Sequence, residues 1–301
     1  MNRSLFIKNT VLGSSALMLS RPVFSKNNLS SLKSKKITIL HTNDTHSNID
    51  AFPDNHAKYP GLGGVSKRYA LIQQIRKEEE NVLLLDAGDV FQGTPYFNTF
   101  KGVLEMKLMS KLGYDACTMG NHDFDAGLEG FFKAKKYANF PFLCSNYDFS
   151  QTILNNSTQK HTIIKRGGIK IGIFGIGVEL AGLVPKDKYG NSKYLDPIEC
   201  ANREALILKE KKCDLIICLS HLGYEQKGEK ISDLKLAKYT ENINIIIGGH
   251  THTFLNQPSI IKNNEGKSVL INQVGWAGVN LGRIDIELET GCFKAKPIEI
   301  R

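Results

Sequence analysis

Five short polar motifs between Asp44 and His252 carry the side chains best suited to chemistry. They are Asp44-Thr45-His46, Gly88-Asp89, Gly120-Asn121-His122-Asp123, Ser220-His221 and Gly249-His250-Thr251-His252. Carboxylates, imidazoles and one amide are oxygen and nitrogen donors of the kind that bind manganese, zinc or iron. Of the eight histidines, His46, His122, His221, His250 and His252 fall inside the motifs, leaving His41, His56 and His161 outside. Any one motif alone is an ordinary surface turn, and only their conjunction points to a metal centre. Two divalent ions roughly 3.5–4 Å apart can clamp the attacking and leaving oxygens of an in-line displacement. Such a centre needs a carboxylate shared by both ions. Asp89, exposed by a Gly-Asp turn, is the candidate for that bridge, and Asn121 would ligate through its amide oxygen.

The elements that must position these residues read as buried strands. Each motif follows an apolar run: Ile37–Leu40, Val82–Leu85, Ala116–Met119, Leu215–Leu219 and Ile243–Ile247. Open α/β sheets bind ligands at the carboxyl ends of their strands, so motifs at five such ends are expected to converge. The spacing Leu62, Val65, Tyr69, Ile72, Ile75 predicts an amphipathic helix, and residues 101–112 and 127–137 also read as helical. Asp196-Pro197-Ile198-Glu199 is a helix start with Asp as N-cap, Pro at the first position and Glu closing a capping box. Strands are expected at Ile163–Lys165 and Ile169–Ile176, flanking an Arg166-Gly167-Gly168 turn. After His252 the pattern turns to β at Ser268–Val274, Leu281–Leu288 and Phe293–Ile300, read as antiparallel strands with one buried face.

A chain of 301 residues with 41% apolar and 23% charged content has the composition of a soluble protein with an ample core. No uninterrupted apolar stretch is long enough to span a bilayer. The net charge is +9, of which Arg3, Lys8 and Arg21 supply three. The remaining lysines, such as Lys133, Lys135, Lys136, Lys209, Lys211 and Lys212, read as solvated helix faces. A positive surface favours anionic substrates, while the absence of an aromatic-interleaved basic stripe argues against nucleic acid. Residues 1–25 read as an export signal: Arg3 and Lys8, an apolar Thr10–Leu19, then a small residue at Ser25. That places the protein in the periplasm or outside the cell, with a retained N-terminal anchor as the alternative. The segment Asn2–Lys8 is similar to a twin-arginine signal with one arginine missing, and no cysteine follows the apolar core to take a lipid. Residues 26–35 are a polar lead-in. The six cysteines lack CxxC spacing, which argues against a zinc ribbon. Cys117 and Cys218 sit in apolar strands as buried thiols, and export leaves a disulfide open without fixing a pairing.

In this order the motifs resemble those of the calcineurin-like metallophosphoesterases, and within them the 5′-nucleotidase and UDP-sugar hydrolase branch. The stretches that carry the resemblance are Ile39–His46, Gly88–Thr94, Gly120–Asp125 and Val274–Gly278 with Gly282-Arg283, and it extends from about residue 36 to 300. It implies a four-layer α/β/β/α sandwich over a catalytic domain of residues 36–301. It further implies that Asp44, His46, Asp89 and His252 bind a first divalent metal, and Asp89, Asn121, His221 and His250 a second. His122 would stay off the metals and stabilise the developing charge or protonate the leaving oxygen, with Asp125 holding its ring. A metal-bound hydroxide would attack phosphorus. Asp123 is read as a structural acid in preference to a ligand, His41 as a packing or hydrogen-bonding residue, and Asp86 as a loop-bonding carboxylate.

Full-length members of the branch carry a second, nucleotide-binding domain, whereas this sequence ends where the first would end. Base recognition is thus expected either from a separately encoded nucleotide-binding domain or not at all, with a broader range of phosphate esters accepted. The expected reaction is hydrolysis of nucleoside monophosphates or related phosphoesters. The alternatives are thiosulfohydrolase-type S–S hydrolysis, which sulfate release would reveal, and a non-catalytic binding or scaffold descendant.

Overall fold

The computed structural model describes residues 35–301, so the export signal and all but the last residue of the lead-in lie outside the described residues. In chain order the first elements are β1 (Lys36–Thr42), α1 (Val65–Glu78), β2 (Val82–Asp86), α2 (Pro95–Phe100), α3 (Val103–Leu112), β3 (Ala116–Thr118), α4 (Gly127–Lys135), β4 (Phe142–Leu143) and β5 (Tyr147–Asp148). There follow β6 (His161–Arg166), β7 (Ile169–Gly177), α5 (Lys186–Tyr189), β8 (Lys193–Tyr194), α6 (Pro197–Glu210), β9 (Leu215–His221), α7 (Asp233–Tyr239), β10 (Ile245–Gly248), β11 (Ser259–Lys262), β12 (Ser268–Asn272), β13 (Asn280–Glu287) and β14 (Cys292–Glu299). Two six-stranded sheets result, ordered β14-β13-β1-β2-β3-β4 and β11-β12-β10-β9-β7-β6, beside a small β5-β8 pair. The strands that carry motifs run parallel to one another within each sheet, β1 to β2 to β3 and β9 to β10, while β1 pairs antiparallel with β13 on its other side.

Apolar runs without polar alternation arise because both faces of each sheet are covered. In β1 and β2, Ile37, Ile39, Leu83 and Leu85 face the second sheet, where they meet Ile171, Ile173, Ile217, Leu219, Ile245 and Ile247. The alternate residues Leu40 and Leu84 face outward to Ile72 and Ile75 of α1 and Met106, Met109 and Leu112 of α3. Across the molecule Phe174, Ile216, Cys218 and Ile246 pack on Ala201, Ala205 and Leu208 of α6 and Leu236 of α7. The period-2 geometry of a strand thus divides one apolar run between two cores, giving helix, sheet, sheet and helix layers. No helix among the described residues is long and apolar enough to cross a membrane.

Several sequence expectations meet their limits here. The helix expected over 101–112 is broken at its start: Lys101 and Gly102 take left-handed φ values of 51° and 89°, ending α2 before α3 begins. A Cβ at Gly102 would lie 2.1 Å from the Phe91 ring, so only glycine fits the break. The strands after His252 are not uniformly antiparallel. β12 pairs parallel with β10 and antiparallel only with β11, a strand the apolar pattern misses because it is largely exposed at the sheet edge. At α6, Asp196 caps as expected, its carboxylate accepting from Glu199 N at 2.8 Å with Pro197 at the first turn. All six cysteines are free thiols, with Cys117 and Cys218 buried.

Candidate metal centre

The loops that follow β1, β2, β3, β9 and β10 bring the five motifs together. Asp44, His46, Asp89, His250 and His252 all have left-handed φ, between 45° and 74°. Non-glycine residues rarely adopt that conformation, and such strain concentrates at functional sites. The tight reversals turn each side chain back over the end of its strand. Gly120 makes the junction possible, since a Cβ there would lie 2.1 Å from Asp89 Oδ1 and 2.6 Å from His221 Nε2.

Two groups, Asp44–His46–His252 and Asp89–His221–His250, each present one donor atom per residue within 4.8 Å of one another. Asp44 Oδ1 stands 3.4 Å from His252 Nε2 and 4.0 Å from His46 Nε2. Asp89 Oδ2 is 3.1 Å from His221 Nε2 and also 3.8 Å from His46 Nε2, so it faces both groups. His46 and His252 point their Nε2 atoms at each other, 3.0 Å apart. The backbone carbonyls of Phe91 and Ala87 accept from Nδ1 of His46 and His221 at 3.2 and 2.7 Å. In the neutral rings these bonds place the proton on Nδ1 and leave each Nε2 lone pair aimed inward, as ligating histidines require.

This donor set fits divalent ions. Asn121 Oδ1 is buried without a hydrogen-bond partner, a costly state that a cation would relieve. Electrostatics point the same way. Burial opposes charge on His221, but Asp89 and Asp44 outweigh it and push its pKa up to about 10. Burial would raise Asp89, yet the facing His221, His46 and His122 hold it far below the usual carboxylate range. His250 is driven by burial, and then by His221, down to about 4. The carboxylates of Asp89 and Asp44 thus favour positive charge at the position of His221.

Around this centre the other motif residues take distinct places. His122 Nδ1 donates to Asp125 Oδ2 at 2.8 Å, while its side chain remains 38% exposed. The hydrogen bond it donates to Asp125 raises its pKa, against burial. Asp123 sits beneath the loops and accepts from four backbone N–H groups: Asp89, Val90, Phe91 and Gly120. Asp86 accepts from Thr42 Oγ1 at 2.6 Å and Gly88 N at 2.9 Å. His41 is buried away from the ligand groups, its Nε2 bonded to the Asn272 amide at 2.9 Å. Asn43 is a residue the motif reading passed over. Its amide donates to Gly275 O and Asp44 Oδ2, both at 2.6 Å, and its Oδ1 accepts from Val274 N, which ties the β1 loop to the segment after β12. A polar side chain directly between a buried strand and a candidate ligand was the available signal.

The family model described as calcineurin-like phosphoesterase matches residues 37–254. The snake venom 5′-nucleotidase of Gloydius brevicauda is 34% identical over 272 residues, covering 83% of this chain and 45% of that protein. The 5′-nucleotidase of Vibrio cholerae is 33% identical over 284 residues, covering 86% of this chain and 50% of that protein. Among solved structures, the 5′-nucleotidase precursor from Thermus thermophilus aligns with a TM-score of 0.78 at 32% identity, covering 88% of this chain and 54% of that one. The chain spans about half the length of the relatives it matches. By the family match over residues 37–254, on the same loops that build the centre, the chain belongs to the calcineurin-like phosphoesterases, a family of metal-dependent phosphoester hydrolases.

Proposed function

We propose that the chain is a dinuclear-metal phosphomonoester hydrolase of 5′-nucleotidase type, with nucleoside monophosphates and related esters as substrates and residues 36–301 as its catalytic domain. The observation that carries the reading is that Asp89 faces both donor groups while the His122–Asp125 pair stands beside them. Asp44, His46, Asp89 and His252 would hold one ion, and Asp89, Asn121, His221 and His250 the other. When bound, two divalent ions supply the positive charge that stabilises developing negative charge on the phosphoryl oxygens.

The chain's own residues do the rest. Asp125 keeps the His122 Nδ1 proton in place, so the Nε2 proton is the one available to the leaving oxygen. The exposed side of His122 leaves room for that oxygen to approach. Asp123 holds the β2 and β3 loops in one arrangement through its four backbone bonds. The leader reading of residues 1–25 assigns this activity to the periplasm or the exterior.

A phosphate-release screen over nucleotides, sugar phosphates and an aryl phosphate, with manganese, zinc or iron added, tests the proposal. Release from nucleoside monophosphates that a chelator abolishes is the expected result. Sulfate release from S–S substrates would replace it with the thiosulfohydrolase reading. Two bound ions without turnover on any ester would make the chain a binding protein.

A further inference from the structure

An imidazole in a metal site must be aimed, and His252 is held differently from His46 and His221. His46 and His221 are aimed by hydrogen bonds from Nδ1 to the carbonyls of Phe91 and Ala87. Among the described residues His252 has no such bond, and its side chain is 40% exposed. What lies against its ring is Trp276, with centroids 5.7 Å apart and an interplanar angle of 7°. The indole is itself fixed. Its Nε1 donates to Tyr59 Oη at 3.3 Å, and its edges pack against the rings of Tyr59 and Phe52 at 6.3 Å each. The next residue, Ala277, donates its N–H to Asp44 O at 2.7 Å, which ties the segment that carries the indole to the Asp44 loop.

We propose that Trp276 is the positioning residue for His252. Its indole face takes the place of the hydrogen bond used elsewhere, holding Nε2 toward Asp44 and His46 and so setting the affinity of that group for a divalent cation. The inference rests on the reading of His252 as a ligand. Its physical basis is differential. An imidazole drained of electron density by a cation at Nε2 stacks better on an electron-rich indole than a neutral ring does, so the contact favours the loaded state. Stacking of this kind is worth roughly two- to twelvefold in an equilibrium constant.

The sequence provides its own probe, because Trp276 is the only tryptophan. Chelator-stripped full-length protein titrated with Mn²⁺, a paramagnetic quencher, should lose tryptophan emission saturably. In His252→Ala the quenching should weaken while one ion is still retained by elemental analysis. Trp276→Leu should bind one of its two ions roughly two- to tenfold more weakly, and Trp276→Phe should restore most of that loss. Wild-type Mn²⁺ affinity at both positions in a folded Trp276→Leu protein would overturn the proposal. Should that variant fail to fold, wild-type emission that is unmoved while two ions bind would overturn it instead. Failure of the wild-type protein to take up any ion would bring down the metal-site reading beneath it.

Discussion

The two sheets furnish the centre with different materials. Loops from the β1–β2–β3 side bring both carboxylates, the Asn121 amide, His46 and the His122–Asp125 pair. Loops from the β9–β10 side bring only His221, His250 and His252. The first wall is braced internally: Asp44, His46 and Ser47 donate backbone N–H groups to Gly88, Asp89 and Val90, and Asp123 ties the β2 loop to the β3 loop. The second wall reaches the first through a few bonds, chiefly His250 N to the Asp44 carboxylate and His221 Nδ1 to Ala87 O. A buried, anionic, braced wall can hold its shape before any cation arrives. The imidazole wall is joined to it by fewer bonds, and a shared cation would add to them. Charge is built into one half and geometry is completed by the other.

If that division is correct, the largest single loss should come from the braced wall. Asp89→Asn keeps the side chain's shape and an acceptor for His122 N, which lies 2.7 Å from Asp89 Oδ1, but removes the charge shared by the two groups. Turnover should fall by about 10³-fold or more, the loss of several kcal/mol of transition-state stabilisation, together with metal content measured by elemental analysis. Two ions retained with normal turnover would break the comparison, because the shared charge would then not sit in that wall.

The next effect separates chemistry from ligation. His122→Ala should keep both ions and lose roughly 10²–10⁴-fold in rate, the scale of general acid–base catalysis. The deficit should shrink for an aryl phosphate, whose leaving oxygen needs little protonation. Loss of an ion from this variant would move His122 from the acid role into the ligand set.

Much of this layout was legible because chemistry and strand ends coincide in the chain. The runs before Asp44, Asp89, Asn121, His221 and His250 are apolar enough to be buried strands, and a polar motif after each one can only lie at an edge. Features set by tertiary contact were not legible in that way. The break at Lys101-Gly102 depends on the Phe91 ring, which is near in space and not in the helix's own pattern. The parallel pairing of β12 with β10 depends on where the chain returns after β11, and side-chain alternation is blind to strand direction. The stack of Trp276 on His252 joins residues on separate loops and has no periodic signature.

The smallest effect on turnover is expected at His41, an imidazole in the braced wall that lies off the ligand groups and so serves as a control. Burial lowers its pKa from 6.5 to about 3. The native state therefore keeps it neutral in a range where the unfolded chain protonates it. Its contribution to stability is fully present above pH 6.5 and is lost as pH falls toward 3. Two pH units below 6.5, that loss is roughly 3 kcal/mol. His41→Gln removes the titration and can still offer an acceptor to Asn272. Urea unfolding of chelator-treated protein at pH 7.5 and 4.5 should show a shallower decline in the variant than in wild type. Taking the difference cancels the other histidines, and the steric fit against Gly282 affects both pH values alike. Metal content and turnover at pH 7.5 should stay close to wild type. An unchanged pH slope would mean His41 is protonated in the native state, and a lost metal ion would place it among the ligands.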